Sequence, residues 1–253
     1  MKNILTLAAN TLKENTRNKV YLLIVAFALL MLLVSLLLAD LSVGAQIKII
    51  KDMGLGIISI TAVMTSVLLG MNLLHNEIGK KTIYNVLSKP VSRYEFILGK
   101  YLGLSASVCL AVIFMAAGLC LLLVIYQQAI ELSLIIALGM ICLEVMVLAA
   151  VVMMFSTFTT AILSGIFTLG VYILGHSTAD FMGLSLKAGT VSKNIFNFLY
   201  YALPNLSNFD FKNEAVRGIM VSPEIIVSVS AYAVAYSGIL LCLAVIIYSK
   251  KDF

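Results

Sequence analysis

Residues 20–39, VYLLIVAFALLMLLVSLLLA, form an uninterrupted run of twenty residues without a charged side chain. About 20 apolar residues, at roughly 1.5 Å of helical rise each, cross the hydrocarbon core of a bilayer. The run exceeds the roughly 7–15 apolar residues of a cleavable signal peptide. We therefore expect a retained membrane-spanning helix here.

The composition of the whole chain agrees with this first segment. Of its 253 residues, 62% are hydrophobic and 11% are charged, and the mean hydropathy is +1.08. Soluble domains carry about 25% charged residues, so the composition of this chain is that of a membrane protein. Its net charge of +5 is therefore not a sign of a nucleic-acid partner, since in a membrane protein the positions of the charges matter more than their sum.

Five further apolar segments are long enough to cross a bilayer, the fifth crossing only just. Open strands cannot satisfy their backbone in lipid, so we predict an all-α polytopic membrane protein with six transmembrane helices. The further crossings are predicted at about 55–74, 96–126, 132–156, 160–176 and 224–248.

The basic residues predict the orientation of these crossings. Eleven of the seventeen Lys and Arg residues fall in the N-terminal segment, the 75–100 loop and the C-terminal tail. Because basic residues collect on the cytoplasmic side, we expect both termini and this loop in the cytoplasm. The other six are Lys48, Lys51, Lys187, Lys193, Lys212 and Arg217.

No motif for catalysis or metal binding is found in the sequence. It contains no GxxxxGK[ST], HExxH or GxSxG pattern. The cysteines lie inside apolar runs without metal-site spacing, so we interpret them as small buried residues. The two histidines lie near ends of apolar segments, and we expect no metal site. These residues are Cys109, Cys120, Cys142, Cys242, His75 and His176.

A charged island at 77–100, EIGKKTIYNVLSKPVSRYEFILGK, separates the second and third crossings. Residues 82–87 predict a short amphipathic helix, which Pro90 ends. Ser92 and Glu95 then form a capping box for a helix of about 50 Å that continues through the third crossing. The pattern favours a rigid cytoplasmic docking surface; the alternative is a solvated loop whose charges only set the topology.

Two amphipathic segments lie outside the crossings. In residues 4–16, the spacing of the apolar residues predicts a helix in the membrane interface, with a frayed tail as the alternative. A second interfacial helix is predicted in the outer loop at 177–222, ending before Pro204, and Ser222-Pro223-Glu224 is a start signal for the last crossing. The apolar faces are Ile4, Leu5, Ala8, Ala9 and Leu12 in the first helix, and Val191, Ile195, Phe198, Leu199 and Ala202 in the second.

Glu144 is the only acidic residue in the middle of a predicted crossing. An ionisable group at that depth is costly, which makes it a candidate functional residue. It could bind a cationic group, carry protons or join two helices by a hydrogen bond. The last interpretation is the plainest, but the sequence names no partner for it.

The segment from Glu77 to Gly103 resembles the cytoplasmic loop of type-2 ABC exporter permeases, although Lys81 stands where many members carry Gly. The similarity extends over nearly the whole chain. Residues 155–177 and 203–211 also resemble the branch that includes the permease of the nitrous-oxide-reductase maturation system. The loop matches are Glu77, Thr82, Leu87, Lys89, Pro90, Ser92, Arg93, Phe96, Gly99 and Lys100.

This resemblance implies a single permease domain over 1–253, working as a dimer in the plasma membrane. A separate cytoplasmic ATPase would hold ATP and Mg, and this chain would hold no cofactor. Residues 77–88 within the 75–95 loop would form the coupling helix, and residues 1–19 the connecting helix. The implied ATPase-coupling residues are Glu77, Lys81, Thr82, Leu87, Pro90 and Arg93.

Two alternatives remain open at this point. The chain could be an ATP-independent carrier in which Glu144 carries protons, or a membrane scaffold for the assembly of an extracytoplasmic protein. The three hypotheses differ in whether an ATPase partner drives the chain. The residues favour no particular substrate and do not separate a homodimer from a heterodimer.

Overall fold

The computed structural model describes residues 2–40, 46–79, 92–178 and 203–250. Most of these residues are helical, as expected of an apolar chain that must satisfy its own backbone. The helices are α1 (Lys2–Thr16), α2 (Lys19–Asp40), α3 (Gln46–Gly79), α4 (Arg93–Ile125), α5 (Leu132–Ser156), α6 (Ala161–His176), a 3-10 turn (Leu206–Phe209), α7 (Lys212–Arg217) and α8 (Pro223–Ser249).

Five of the described helices, α2, α3, α4, α5 and α8, are long and apolar enough to cross a membrane. This confirms the prediction of an all-α polytopic membrane protein. Helix α6 has 16 residues, which is about 24 Å and shorter than the roughly 30 Å of a hydrocarbon core. The count of six crossings and the cytoplasmic position of both termini therefore stay predictions.

Helix α3 is longer than the crossing predicted at about 55–74. It has 34 residues, so it begins earlier, at Gln46, and continues into the charged island as far as Gly79. Lys51 does not interrupt the helix because its ammonium group is paired with the carboxylate of Glu131 at 2.9 Å. Helix α3 thus ends at Gly79 and α4 begins at Arg93, both within the predicted 75–95 loop.

Helix α8 begins as its sequence predicted. Ser222 is the N-cap residue in extended conformation, Pro223 is the first helical residue and Glu224 lies in the first turn. The interfacial helix predicted around residues 191–202 lies outside the described residues.

Helices α3 and α5 form the centre of the bundle. In their membrane-length segments 67% and 61% of the residues are buried, whereas the values for α2 and α8 are 22% and 28%. Helix α5 packs against α3, α4, α6, α7 and α8. The peripheral helices expose large apolar side chains such as Leu23 and Val234, which lipid would cover.

Helix α6 runs antiparallel to α5 and reaches only the middle of it. The hydroxyl of Ser156, at the end of α5, donates to that of Ser164 in the first turn of α6. The last residue of α6, His176, contacts Glu144, which is twelve residues back along α5. The buried 3-10 turn at 206–209 packs against both helices, so it covers the end of α6.

Candidate functional site

The first candidate site is the start of α4, where the charged island ends. The backbone N–H of Ser92 donates to Oε2 of Glu95 at 3.2 Å, which is the reach-back contact of the predicted capping box. The side-chain amide of Asn3 donates to the same oxygen at 3.3 Å. The N-terminus of α1 is therefore held at the N-terminus of α4, whose dipole also favours this carboxylate.

Arg93 joins the start of α4 to the end of α8. Its Nη1 donates to the backbone carbonyls of Tyr248 at 3.2 Å and Ser249 at 2.6 Å. The last carbonyls of a helix lack partners within the helix, and a cation there is favoured by the helix dipole. Arg93 thus fixes the C-terminal end of the last helix beside the charged island.

Aromatic packing strengthens this contact one turn further along α4. The ring of Phe96 stacks on that of Tyr248, with ring centres 6.0 Å apart and an interplanar angle of 18°. The ammonium group of Lys100 lies 5.8 Å from the centre of the Phe96 ring, within the range of a cation–π contact. We call the cluster of Asn3, Arg93, Glu95, Phe96, Lys100 and Tyr248 the helix-start junction.

Helix α1 runs parallel to the first half of α4 in constant register. Asn3 contacts Glu95, and the amide of Asn15 donates to the hydroxyl of Ser107 at 3.0 Å; the residue numbers differ by 92 in both pairs. The two helices therefore have the same direction over about four turns. The position of α1 in the membrane interface stays a prediction.

Two glycines of α4 allow this contact to be close. A Cβ atom at Gly99 would lie 2.6 Å from the Cβ of Leu7, and one at Gly103 would lie 2.5 Å from the Cβ of Thr11 and 2.7 Å from a backbone oxygen. Only a residue without a side chain fits at either position. The contact overlaps the predicted apolar face only in part, since Ile4 and Ala8 lie beside Gly99 and Gly103 whereas Leu5 is 66% exposed.

The structure locates the predicted coupling residues only in part. Glu77 lies in the last turn of α3, and Arg93 is the first residue of α4. Both belong to the charged island, Glu77 as its first residue and Arg93 in its second half. Lys81, Thr82, Leu87 and Pro90 lie outside the described residues, so the coupling helix stays a prediction.

The second candidate site is the acidic residue inside the bundle. Glu144 is 1% exposed, and its Oε1 lies 2.8 Å from Nε2 of His176. The ring of Tyr172 contacts the imidazole edge-on, with ring centres 4.8 Å apart. A buried carboxylate needs such a partner to compensate for its lost hydration. The contact joins α5 to the end of α6.

His176 is the functional candidate that the sequence interpretation missed. The tight turn between α5 and α6 makes residues at equal distances from it neighbours in an antiparallel pair. Glu144 and His176 lie at similar distances from that turn, so their pairing could have been predicted from the number of residues between each of them and the turn. Among the described residues, no group of three or more His, Cys, Asp or Glu side chains could hold a metal ion.

Comparison with known proteins identifies one family. A family model described as ABC-2 family transporter protein matches residues 5–253. No curated protein matches the chain.

Proposed function

Because the chain belongs to the ABC-2 transporter family, we propose that it is a permease subunit that couples ATP hydrolysis by a separate cytoplasmic ATPase to export of a substrate. A transport permease is what membership of the family suggests. ATP and Mg would bind to the ATPase subunit. Two permease chains, identical or different, would form the dimer in the plasma membrane.

The helix-start junction is the observation that best supports this proposal. It links the part of the charged island that begins α4 to α1 and α8 by hydrogen bonds and stacked rings. A loop that served only to set topology would need no such links. A force applied to the island would instead reach three helices at once.

Helix α4 gives that force a path into the membrane. It is continuous over 33 residues, which is about 50 Å, and α1 supports its first half. Closure of the ATPase would push on the island and tilt α4, with α1 and the end of α8 following. Movement of packed helices as rigid units is a common form of conformational change.

We propose that the contact between Glu144 and His176 keeps α5 and α6 together during this movement. Each of the two side chains is the other's partner inside the bundle. His176 is the last residue of α6, which reaches only halfway along α5. This favours a structural tie over a proton path. The resemblance to the nitrous-oxide-reductase maturation branch stays a proposal about the substrate class.

The test is purification of the tagged chain from its native membrane in mild detergent, followed by identification of bound proteins and an ATPase assay. We expect a stoichiometric ATPase with a phosphate-binding loop. Glu77→Ala should weaken its recovery because Glu77 is the first residue of the charged island. Asp52→Ala, which removes an exposed acidic side chain near the other end of α3, serves as the matched control and should leave recovery unchanged.

Recovery of the chain without any ATPase would contradict the proposal. Transport by the isolated chain in liposomes, driven by a pH gradient, would then support the carrier alternative. A stable complex with an extracytoplasmic protein and no ATP-dependent flux would support the scaffold alternative.

A further inference from the structure

A polar cavity of about 400 Å³ lies at the end of the bundle opposite the helix-start junction. Helix α3 runs antiparallel to α4, since Thr61 contacts Met115 and Gly70 lies beside Leu104. The first turns of α3 therefore lie at the far end of α4, where α5 begins. The polar side chains that line the cavity are Gln46, Lys48, Lys51, Gln128, Glu131 and Arg217.

Three cations and one carboxylate line this cavity. Nζ of Lys51 lies 2.9 Å from Oε1 of Glu131, and the Lys51 side chain is only 5% exposed. The hydroxyl of Ser133 donates to the other carboxylate oxygen at 3.3 Å. Both oxygens of the half-exposed Glu131 side chain thus have partners within the chain, and its charge offsets only one of the three cations.

The remaining positive charge belongs to Lys48 and Arg217, which are both exposed at the cavity. The predicted orientation places them on the extracytoplasmic side, where basic residues are disfavoured. Three of the six basic residues expected on that side nevertheless converge on this one cavity. Topology does not explain this convergence, and the pairing with Glu131 accounts only for Lys51.

We propose that this cavity binds a phosphate group at the outer face of the membrane. Arginine and lysine form charge-assisted hydrogen bonds with phosphate oxygens, and the side-chain amides of Gln46 and Gln128 supply further donors. The phosphate belongs to a lipid of the outer leaflet or to a soluble phosphate ester. The proposal concerns a different end of the molecule from the ATPase contact and does not depend on it.

The test compares the unmodified chain with the Lys48→Gln, Arg217→Gln double variant. Native mass spectrometry in detergent measures the binding of phosphatidylglycerol, phosphatidylcholine and soluble glycerol phosphate. Loss of two charge-assisted contacts should weaken binding of the preferred phosphate probe about tenfold. The control is Lys212→Gln, which removes a cation that pairs with Asp210 at 3.6 Å and does not line the cavity; binding should not change.

The probes separate the two sources of phosphate. Variant-sensitive binding of phosphatidylglycerol alone assigns the site to a lipid headgroup, and variant-sensitive binding of glycerol phosphate assigns it to a soluble ester. Equal binding by the double variant and the unmodified chain for every probe would overturn the proposal. Circular dichroism checks the fold; should the double variant unfold, each single variant should weaken binding about threefold.

Discussion

Two pairs of helices in this protein are each joined by two polar contacts, and both pairs extend from the same end of the bundle towards its middle. Helices α1 and α4 run parallel, with polar contacts between Asn3 and Glu95 and between Asn15 and Ser107. Helices α5 and α6 run antiparallel and also have two polar contacts. In both pairs the contacts are twelve residues apart on each helix, or about 18 Å.

The two helix pairs differ in how closely their backbones approach between the contacts and in whether the inner contact is charged. Between the contacts of α1 and α4, the backbones approach closely at Gly99 and Gly103, and the inner contact is uncharged. The inner contact of α5 and α6 is the ionisable pair of Glu144 and His176. The first pair should therefore be most sensitive to added volume and the second to a change of charge.

The largest effect is expected from Gly103→Leu, which adds a side chain where none fits. Overpacking costs about 1–3 kcal/mol and sometimes more, and here the new side chain meets backbone as well as Thr11. Helix α1 should separate from α4, which faster proteolysis of the N-terminal segment and a lower melting temperature in detergent would show.

The matched control for this prediction is Gly139→Leu on α5. A Cβ atom at Gly139 would have no neighbour within 4 Å, so the melting temperature should hardly change. Equal behaviour of the two variants would contradict the close contact between α1 and α4.

The next effect concerns the buried pair. Glu144→Gln and His176→Gln should each destabilise the protein, and a double-mutant cycle should give a coupling free energy of about 1–2 kcal/mol, as for strong polar contacts in membrane proteins. Equilibrium unfolding in mixed micelles measures it. Glu14→Gln, at an exposed position of α1, should have no effect. Additive single effects would show that the two side chains do not interact.

A smaller effect is expected from Arg93→Ala at the helix-start junction. Loss of a cation at the C-terminal carbonyls of α8 should cost about 0.3–1 kcal/mol. If the proposed function holds, ATP turnover by the complex should fall by more than this stability change implies. Arg93→Lys should restore part of both properties; unchanged turnover in Arg93→Ala would remove Arg93 from the coupling path.

The smallest effect is expected from Asn15→Ala. The hydroxyl of Ser107 keeps its hydrogen bond to the carbonyl of Gly103 at 2.7 Å, so no buried donor is left without an acceptor. We expect a loss of about 0.6 kcal/mol, the average for such contacts in a membrane protein. A loss as large as that from Gly103→Leu would mean that this hydrogen bond, rather than packing, joins α1 to α4.

The sequence predicted the helices well because hydropathy and start signals act locally. The bounds of α5 agree with the predicted crossing, and the capping box at Ser92 begins α4. The length of α3 was underestimated because Lys51 suggested a loop. Its neutralising partner, Glu131, is eighty residues away in the chain, so no local pattern could show it.

The contacts between helices were harder to predict than the helices. Small residues four apart at Gly99 and Gly103 mark a close helix contact, but they do not say which helix makes it. Leu5 and Ala9 belong to the predicted apolar face of α1 and are exposed, whereas the polar residues Thr11 and Asn15 are buried against the protein. Hydrophobicity does not separate a protein-facing side from a lipid-facing one, because both are apolar.

The most direct test of the account is hydrogen–deuterium exchange of the chain with and without its ATPase subunit. We predict that binding of the ATPase slows exchange in residues 77–96 and leaves the cavity around Lys48 and Arg217 unchanged. Protection at that opposite end, or no protection in residues 77–96 of a stable complex, would contradict the proposal that the charged island is where the ATPase drives this permease.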